Sequence, residues 1–119
     1  MITGKYPSLR LRRNRKYDWI RRLIRENDLS SNDLILPIFL TEGKNKQIKI
    51  PSMPEIYKYS VNMLPKIIDK ALSNKIPMVA FFPNTPTSKK NDFGSEALNE
   101  NNLVCKALRY SKKRYKNEI

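Results

Sequence analysis

Leu34-Ile-Leu-Pro-Ile-Phe-Leu40 is a continuous apolar run of strand length, set between polar Ser30-Ser31-Asn32-Asp33 and Thr41-Glu42-Gly43. A strand that is apolar on both alternating faces is buried on both, as in a parallel sheet. Pro37 lacks a backbone N–H, so either that position faces no ladder partner or the strand bends there. Met78-Val-Ala-Phe-Phe82 repeats the pattern and is closed by Pro83. Between the two runs, Val61, Leu64, Ile67, Ile68, Ala71 and Leu72 form one stripe at helical spacing. Ser60 and Asn62 are its candidate caps. Asn62 is preferred because it places Pro65 where a missing N–H costs the helix nothing, unless the first turn is tight. Asn74-Lys75 ends the helix and Pro77 stops it continuing.

Outward from this framework the signals weaken. Residues 43 to 59 are mixed, and Pro51 and Pro54 exclude a helix there. Asn84 to Asn99 is a long polar connection containing Gly94, and a loop of that length usually serves a function or a partner. A last helix, capped by Asn99 or Asn101, places Leu103, Val104, Ala107 and Leu108 on one face, with Cys105 beside it as a small buried hydrophobe. Upstream, Trp19, Ile20, Leu23 and Ile24 mark a short amphipathic helix from Tyr17 to Arg25, and residues 1–16 read as an extended arm. The expected division is therefore a basic arm with a short helix over 1–30, then strand, helix, strand, helix over 31–119. That order is the grammar of a parallel α/β sheet. Two parallel strands cannot cover their helices or close a barrel, so the segment is expected to be the opening third of a larger α/β domain.

The chain has 119 residues, 24 Lys and Arg against 11 Asp and Glu, and a formal charge of +13. From Lys5 to Arg25 nine residues are basic and only Asp18 is acidic. This favours anionic surfaces without choosing among nucleic acid, phospholipid and an acidic protein face. With one cysteine and no histidine, neither an internal disulfide nor a Cys/His zinc site can form. No apolar run approaches the ~20 residues needed to span a bilayer, and a cytoplasmic location is expected. The Arg-rich start shares the composition of organelle transit peptides, but it runs into ordered-looking sequence without a processing-like boundary.

Catalytic chemistry is hard to find. No G-x-G-x-x-G, P-loop or paired-cysteine motif is present. Glu42, after the first strand, would sit at the mouth of a barrel, yet a solvated turn carboxylate is the better reading. Phe82, at the end of the second strand, reads as core or rim packing. Gly94-Ser-Glu-Ala97 is a poor phosphate cradle without a helix starting on it. No lysine lies in an apolar strand, so none is assigned a Schiff-base role and all read as solvated. Arg10-Leu-Arg-Arg-Asn-Arg-Lys16, beside Tyr17 and Trp19, suits either a nucleic-acid tail or an arm that docks on protein.

Taken in order, seven segments resemble the N-terminal part of the delta-aminolevulinic acid dehydratase, or porphobilinogen synthase, family. They are Leu11-Arg-Arg-Asn14, Asp33-Leu-Ile-Leu-Pro-Ile-Phe39, Glu42-Gly43, Ile50-Pro-Ser-Met-Pro54 with Tyr57, Ile76-Pro77, Val79-Ala80 with Phe82-Pro83, and Gly94-Ser-Glu-Ala97 with Asn99. The resemblance implies a TIM barrel preceded by an arm, of which this chain holds the arm and the first two βα units and stops before strand three. It implies an enzyme that condenses two 5-aminolevulinate molecules to porphobilinogen for haem biosynthesis. It also implies a homo-octamer in which the arm embraces a neighbouring subunit. The family's Schiff-base lysines, carboxylate-binding arginines and zinc or magnesium ligands lie downstream, so no catalytic, cofactor-binding or metal residue is assigned within 1–119. The segment alone is expected to be inactive, and a small basic RNA- or DNA-binding module is the lower-ranked alternative. Three positions depart from the family pattern. Glu55 and Lys75 stand where Gly is usual, and Leu98 replaces a frequent Tyr. A positive φ at Glu55 would cost roughly 1 kcal/mol, and Asn74 is expected to take the left-handed position in place of Lys75.

Overall fold

The computed structural model describes residues 4–9 and 12–119; Arg10 and Leu11 of the expected basic arm lie outside the described residues. The two long apolar runs become β1 (Ile35–Leu40) and, later in the chain, β4 (Met78–Pro83). They pair in parallel over six positions, from Ile35 opposite Met78 to Leu40 opposite Pro83. Among the described residues the sheet has four strands rather than two, in the order β2-β3-β1-β4. The additions are β2 (Gln47–Lys49) and β3 (Tyr57–Tyr59), an antiparallel pair whose second strand lies parallel to β1. Three-residue strands are too short to show a period, which is why the sequence pattern misses them.

Pro37 sits in a central strand, and the ladder explains how. The N–H of Thr41 donates to the carbonyl of Tyr59 in β3, and the carbonyl of Leu40 accepts from Asn84 beyond β4. Odd-numbered backbone groups of β1 therefore face β3 and even-numbered ones face β4. β3 reaches β1 only at Phe39 and Leu40. Pro37 thus turns its missing donor toward a gap, as its chemistry requires.

Ile50-Pro-Ser-Met-Pro54 forms the tip of the β2–β3 hairpin. The N–H of Met53 donates to the carbonyl of Ile50, that of Ile56 to Met53, and that of Ile50 to Ile56. In the second of these turns Pro54 holds the second position and Glu55 the third, at φ 64°. A type II turn needs a positive φ at that third position, where a side chain is strained.

α2 (Leu64–Ser73) buries Leu64, Ile68 and Ala71, the expected stripe. Its cap differs from the expected Asn62. The first turn is tight: a 3-10 segment, Val61–Met63, follows Ser60, and Pro65 falls in the first turn of α2. Asn62 instead accepts from the N–H of Asn45 at 3.0 Å and the hydroxyl of Ser60 at 2.9 Å. At the other end Lys75, not Asn74, is left-handed, at φ 57°. The N–H of Ile76 reaches the carbonyl of Ala71 and that of Lys75 reaches Leu72, the Schellman arrangement. Asn74 is occupied otherwise, its amide donating to the carbonyl of Lys70 at 2.7 Å.

α3 (Leu103–Tyr115) is capped by Asn102, whose side-chain oxygen accepts from the N–H of Cys105 at 2.8 Å. The expected Asn99 and Asn101 form a turn just before it, the N–H of Asn101 donating to the Asn99 side chain. The buried stripe is Ala107, Ser111 and Tyr115, and Leu108 is half exposed rather than buried. Ile38, Leu40, Tyr59, Leu64, Ile68, Ala107 and Tyr115 make one core between the sheet and the two helices. Within it the Tyr115 hydroxyl donates to Asp69 at 2.6 Å, tying α3 to α2. The core takes nothing from positions 4–9 or 12–35. There α1 (Asp18–Leu23) is a six-residue helix without a buried residue, its Asp18 paired with Arg21 and Arg22.

Glu55→Gly and Lys75→Gly are each expected to raise unfolding stability by about 1 kcal/mol, because each removes a Cβ from a left-handed position. Urea unfolding of the single and double variants checks this, and lower midpoints would refute it. Tyr115→Phe is expected to cost about 1 kcal/mol in the same measurement, the usual worth of such a hydrogen bond.

Candidate functional site

The alternation along β1 and β4 sorts the sheet into two unlike faces. Leu36, Ile38, Leu40, Val79 and Phe81 pack toward α2 and α3. On the opposite face Ile35, Pro37 and Phe39 stand in register with Met78, Ala80 and Phe82. Among the described residues that face is left open: Ile35, Met78 and Phe82 are each half or more exposed. At its upper end the rings of Phe39 and Phe82 lie 5.7 Å apart, so Phe82 is a rim residue resting on a neighbour, as its packing reading anticipates. The outer edge of β4 pairs with no strand among the described residues.

Beside the C-terminal ends of these strands is a cleft of about 360 Å³. Its walls come from the end of β4 (Pro83), the following connection (Asn84, Pro86, Ala97) and the first turn of α3 (Leu103, Cys105). Cys105 is half-buried in this wall rather than sealed in the core. Glu42, Lys89 and Glu96 also line the cleft. Lys89 Nζ lies 2.6 Å from Glu42 Oε1 and 3.8 Å from Glu96 Oε1. Glu42 is thus an ion-paired group and not merely a solvated turn carboxylate. Lys89 is likewise engaged, although its sequence neighbourhood gives no hint of it. Its partner lies 47 residues upstream, beyond the reach of any local pattern.

The electrostatics of this cluster restrict its chemistry. Hydrogen bonding to Lys89, reinforced by its charge, lowers the Glu42 pKa below its ordinary 4.5. Hydrogen bonding to Glu42, opposed by partial desolvation and aided by both carboxylates, raises the Lys89 pKa above 10.5. A depressed carboxylate keeps its contribution until the pH falls through the lowered value, and a raised ammonium until the pH rises through the raised one. Both groups therefore keep their charges across the neutral range. A Schiff-base lysine needs the opposite shift, since only the free amine attacks a carbonyl. Lys89 is held as a tether between Glu42 and Glu96.

Gly94 does start a 3-10 turn, Ser95–Leu98, at φ 63°. The N–H of Ser95 is already taken by the Asn91 side chain at 3.0 Å, so no phosphate cradle is formed. Among the described residues no three His, Cys, Asp or Glu side chains stand together, so these residues do not fit a zinc or magnesium site. No helix is long and apolar enough to cross a membrane among them. In the arm, Arg12, Arg13, Arg15 and Lys16 are exposed. The exposed rings of Tyr17 and Trp19 lie nearly parallel with centroids 6.3 Å apart.

The family model for delta-aminolevulinic acid dehydratase matches residues 8–119. A delta-aminolevulinic acid dehydratase of Bradyrhizobium diazoefficiens is 46% identical over 108 residues, covering 91% of this chain and 31% of that protein. One from Methanothermus sociabilis is 40% identical over 112 residues, with 91% and 33% covered. The structure of delta-aminolevulinic acid dehydratase (porphobilinogen synthase) from Toxoplasma gondii ME49, in complex with the reaction product porphobilinogen, superposes with a TM-score of 0.80 at 30% identity. It covers 93% of this chain and 31% of that one. The chain thus spans about a third of the length of the relatives it matches, and over that third it belongs to the delta-aminolevulinic acid dehydratase family.

Proposed function

We propose that the chain is the opening portion of a porphobilinogen synthase, a lyase that condenses two 5-aminolevulinate molecules into porphobilinogen. In this reading residues 31–119 are the first βα units of a TIM barrel and residues 1–30 its N-terminal arm. The observation that carries the barrel reading is the two-faced β1–β4 pair. Among the described residues one face is packed on helices, the other is apolar and open, and the far edge of β4 has no strand. Neighbouring strands of a barrel have this asymmetry, because inward residues fill the interior layers and outward ones meet the helix ring. The catalytic face of such a barrel is at the strand C-termini, where Glu42, Phe82 and the cleft lie.

Chemistry within residues 1–119 is confined to shaping that face. Lys89 is engaged with Glu42 and Glu96, and by the family resemblance the substrate-holding lysines are assigned to later strands of the complete enzyme. By the same resemblance, the zinc or magnesium ligands of the complete enzyme are assigned to those later segments. The arm supports assembly: Tyr17, Trp19, Leu23 and Leu29 are apolar groups that the rest of the chain leaves exposed. A neighbouring subunit of a cytoplasmic homo-octamer would cover them, and this places nucleic-acid binding second for the arm.

Residues 1–119 alone are expected to release no porphobilinogen from 5-aminolevulinate, as measured by the colour reaction of the pyrrole product. Mixing them with a polypeptide supplying the remaining two thirds of the Bradyrhizobium diazoefficiens relative is expected to restore product formation. Porphobilinogen from the chain by itself refutes the assignment of the catalytic lysines. Phe82→Asp, which puts a charge on the open face, is expected to abolish that restoration while leaving the urea midpoint of residues 1–119 nearly unchanged, because Phe82 is half exposed.

A further inference from the structure

The connection between β4 and α3 is fastened to the body of the fold in an unusual way. At its start the N–H of Asn84 donates to the carbonyl of Leu40. At its end the Asn102 amide holds the carbonyls of Glu96 and Ala97 at 3.3 and 3.4 Å. Between these anchors the hydrogen bonds are internal: Lys89 to Pro86, Lys90 to Thr87, Gly94 to Asn91 and Ala97 to Gly94 through the backbone, with Ser95 bonded to the Asn91 side chain. Among the described residues, the Lys89 ammonium is the side chain of residues 85–95 that reaches beyond the connection, to Glu42, while also approaching Glu96 within it. The stretch is not held by apolar burial either, since Phe93 is 90% exposed. It lies along the cleft whose opposite wall is the first turn of α3 with Cys105.

We propose that residues 85–95 are a strap over this cleft and that Lys89 is its clasp, closed while the ammonium bridges Glu42 and Glu96 and open when it releases them. Internal hydrogen bonding lets the strap move as a unit, and the anchors at Asn84 and Asn102 fix its two ends. Glu42 belongs to the turn after the central strand, so the clasp joins the strap to the most buried part of the sheet. Exposed ion pairs are individually weak and are screened by salt, so opening is frequent and responds to ionic strength. The inference needs only the geometry of residues 42–105 and stands apart from the reading of the whole enzyme.

Cys105 is the sole cysteine of the chain and reports on the cleft directly. Its alkylation by the uncharged reagent N-ethylmaleimide, under native conditions, is expected to accelerate in wild type as salt is raised. In Lys89→Met the reaction is expected to be about 1.5- to fivefold faster at low salt, the range that weak surface ion pairs support, and insensitive to further salt. Glu42→Lys, Lys89→Glu and Glu96→Lys combined, which rebuild the bridge with reversed charges, are expected to restore slow, salt-dependent labelling; Lys113→Met is expected to behave as wild type. Equal or slower labelling in Lys89→Met overturns the proposal. Should that variant lose its fold by circular dichroism, the wild-type salt response decides alone: a flat response in the folded protein overturns the clasp.

Discussion

The parallel register of β1 on β4 is the constraint on which the rest of the molecule depends. It fixes which side chains of both strands face the helices, since a slip of one residue would exchange Leu36, Ile38 and Leu40 for Ile35, Pro37 and Phe39. Both sets are apolar, so hydrophobicity alone would not choose between them. Pro37 does: its missing donor is tolerated only where the short β3 does not reach. Tyr59, at the end of β3, adds to the buried side, and the Tyr115–Asp69 hydrogen bond then ties the two covering helices to each other.

What the sequence reveals and what it hides follow from the range over which each signal is written. Long apolar runs such as Leu34 to Leu40 announce their strands, and the stripe from Val61 to Leu72 announces its helix, because several residues repeat one period. The β2–β3 pair has no room for a period and is specified by a turn, Ile50 to Ile56, whose prolines rule out a helix without disclosing a hairpin. Cap positions depend on local backbone competition. Asn62 is drawn to Asn45 and Ser60, Asn74 to Lys70, and Asn99 to Asn101, each leaving the capping or left-handed position to another residue. The Lys89 cluster depends on tertiary distance alone, and no reading of neighbours could pair it with Glu42. The resemblance to the dehydratase family, carried by short motifs, reaches further than any of these and agrees with the family match over residues 8–119.

At the strand C-termini the chain combines an apolar rim at Phe39 and Phe82 with an ion cluster whose charges hold one another in their ionised forms. Groups tuned for proton transfer or nucleophilic attack near neutral pH have shifts in the other direction. The cluster therefore acts on shape: it sets where the β4–α3 connection lies relative to the sheet.

The hairpin tip at Ile50–Ile56 also bears on the order in which the sheet can be assembled. β2 and β3 meet through a short connection, so closing them forfeits little chain entropy. β1 and β4, by contrast, are brought together only after the hairpin and α2 have been made. As the chain leaves the ribosome, the edge of β1 that takes β3 can be satisfied early, while the edge that takes β4 waits. The strand that ends as the centre of the sheet thus spends part of its life as a border on its β4 side, while Pro37, with no N–H to offer toward β3, blunts only the part of the other edge that β3 leaves uncovered.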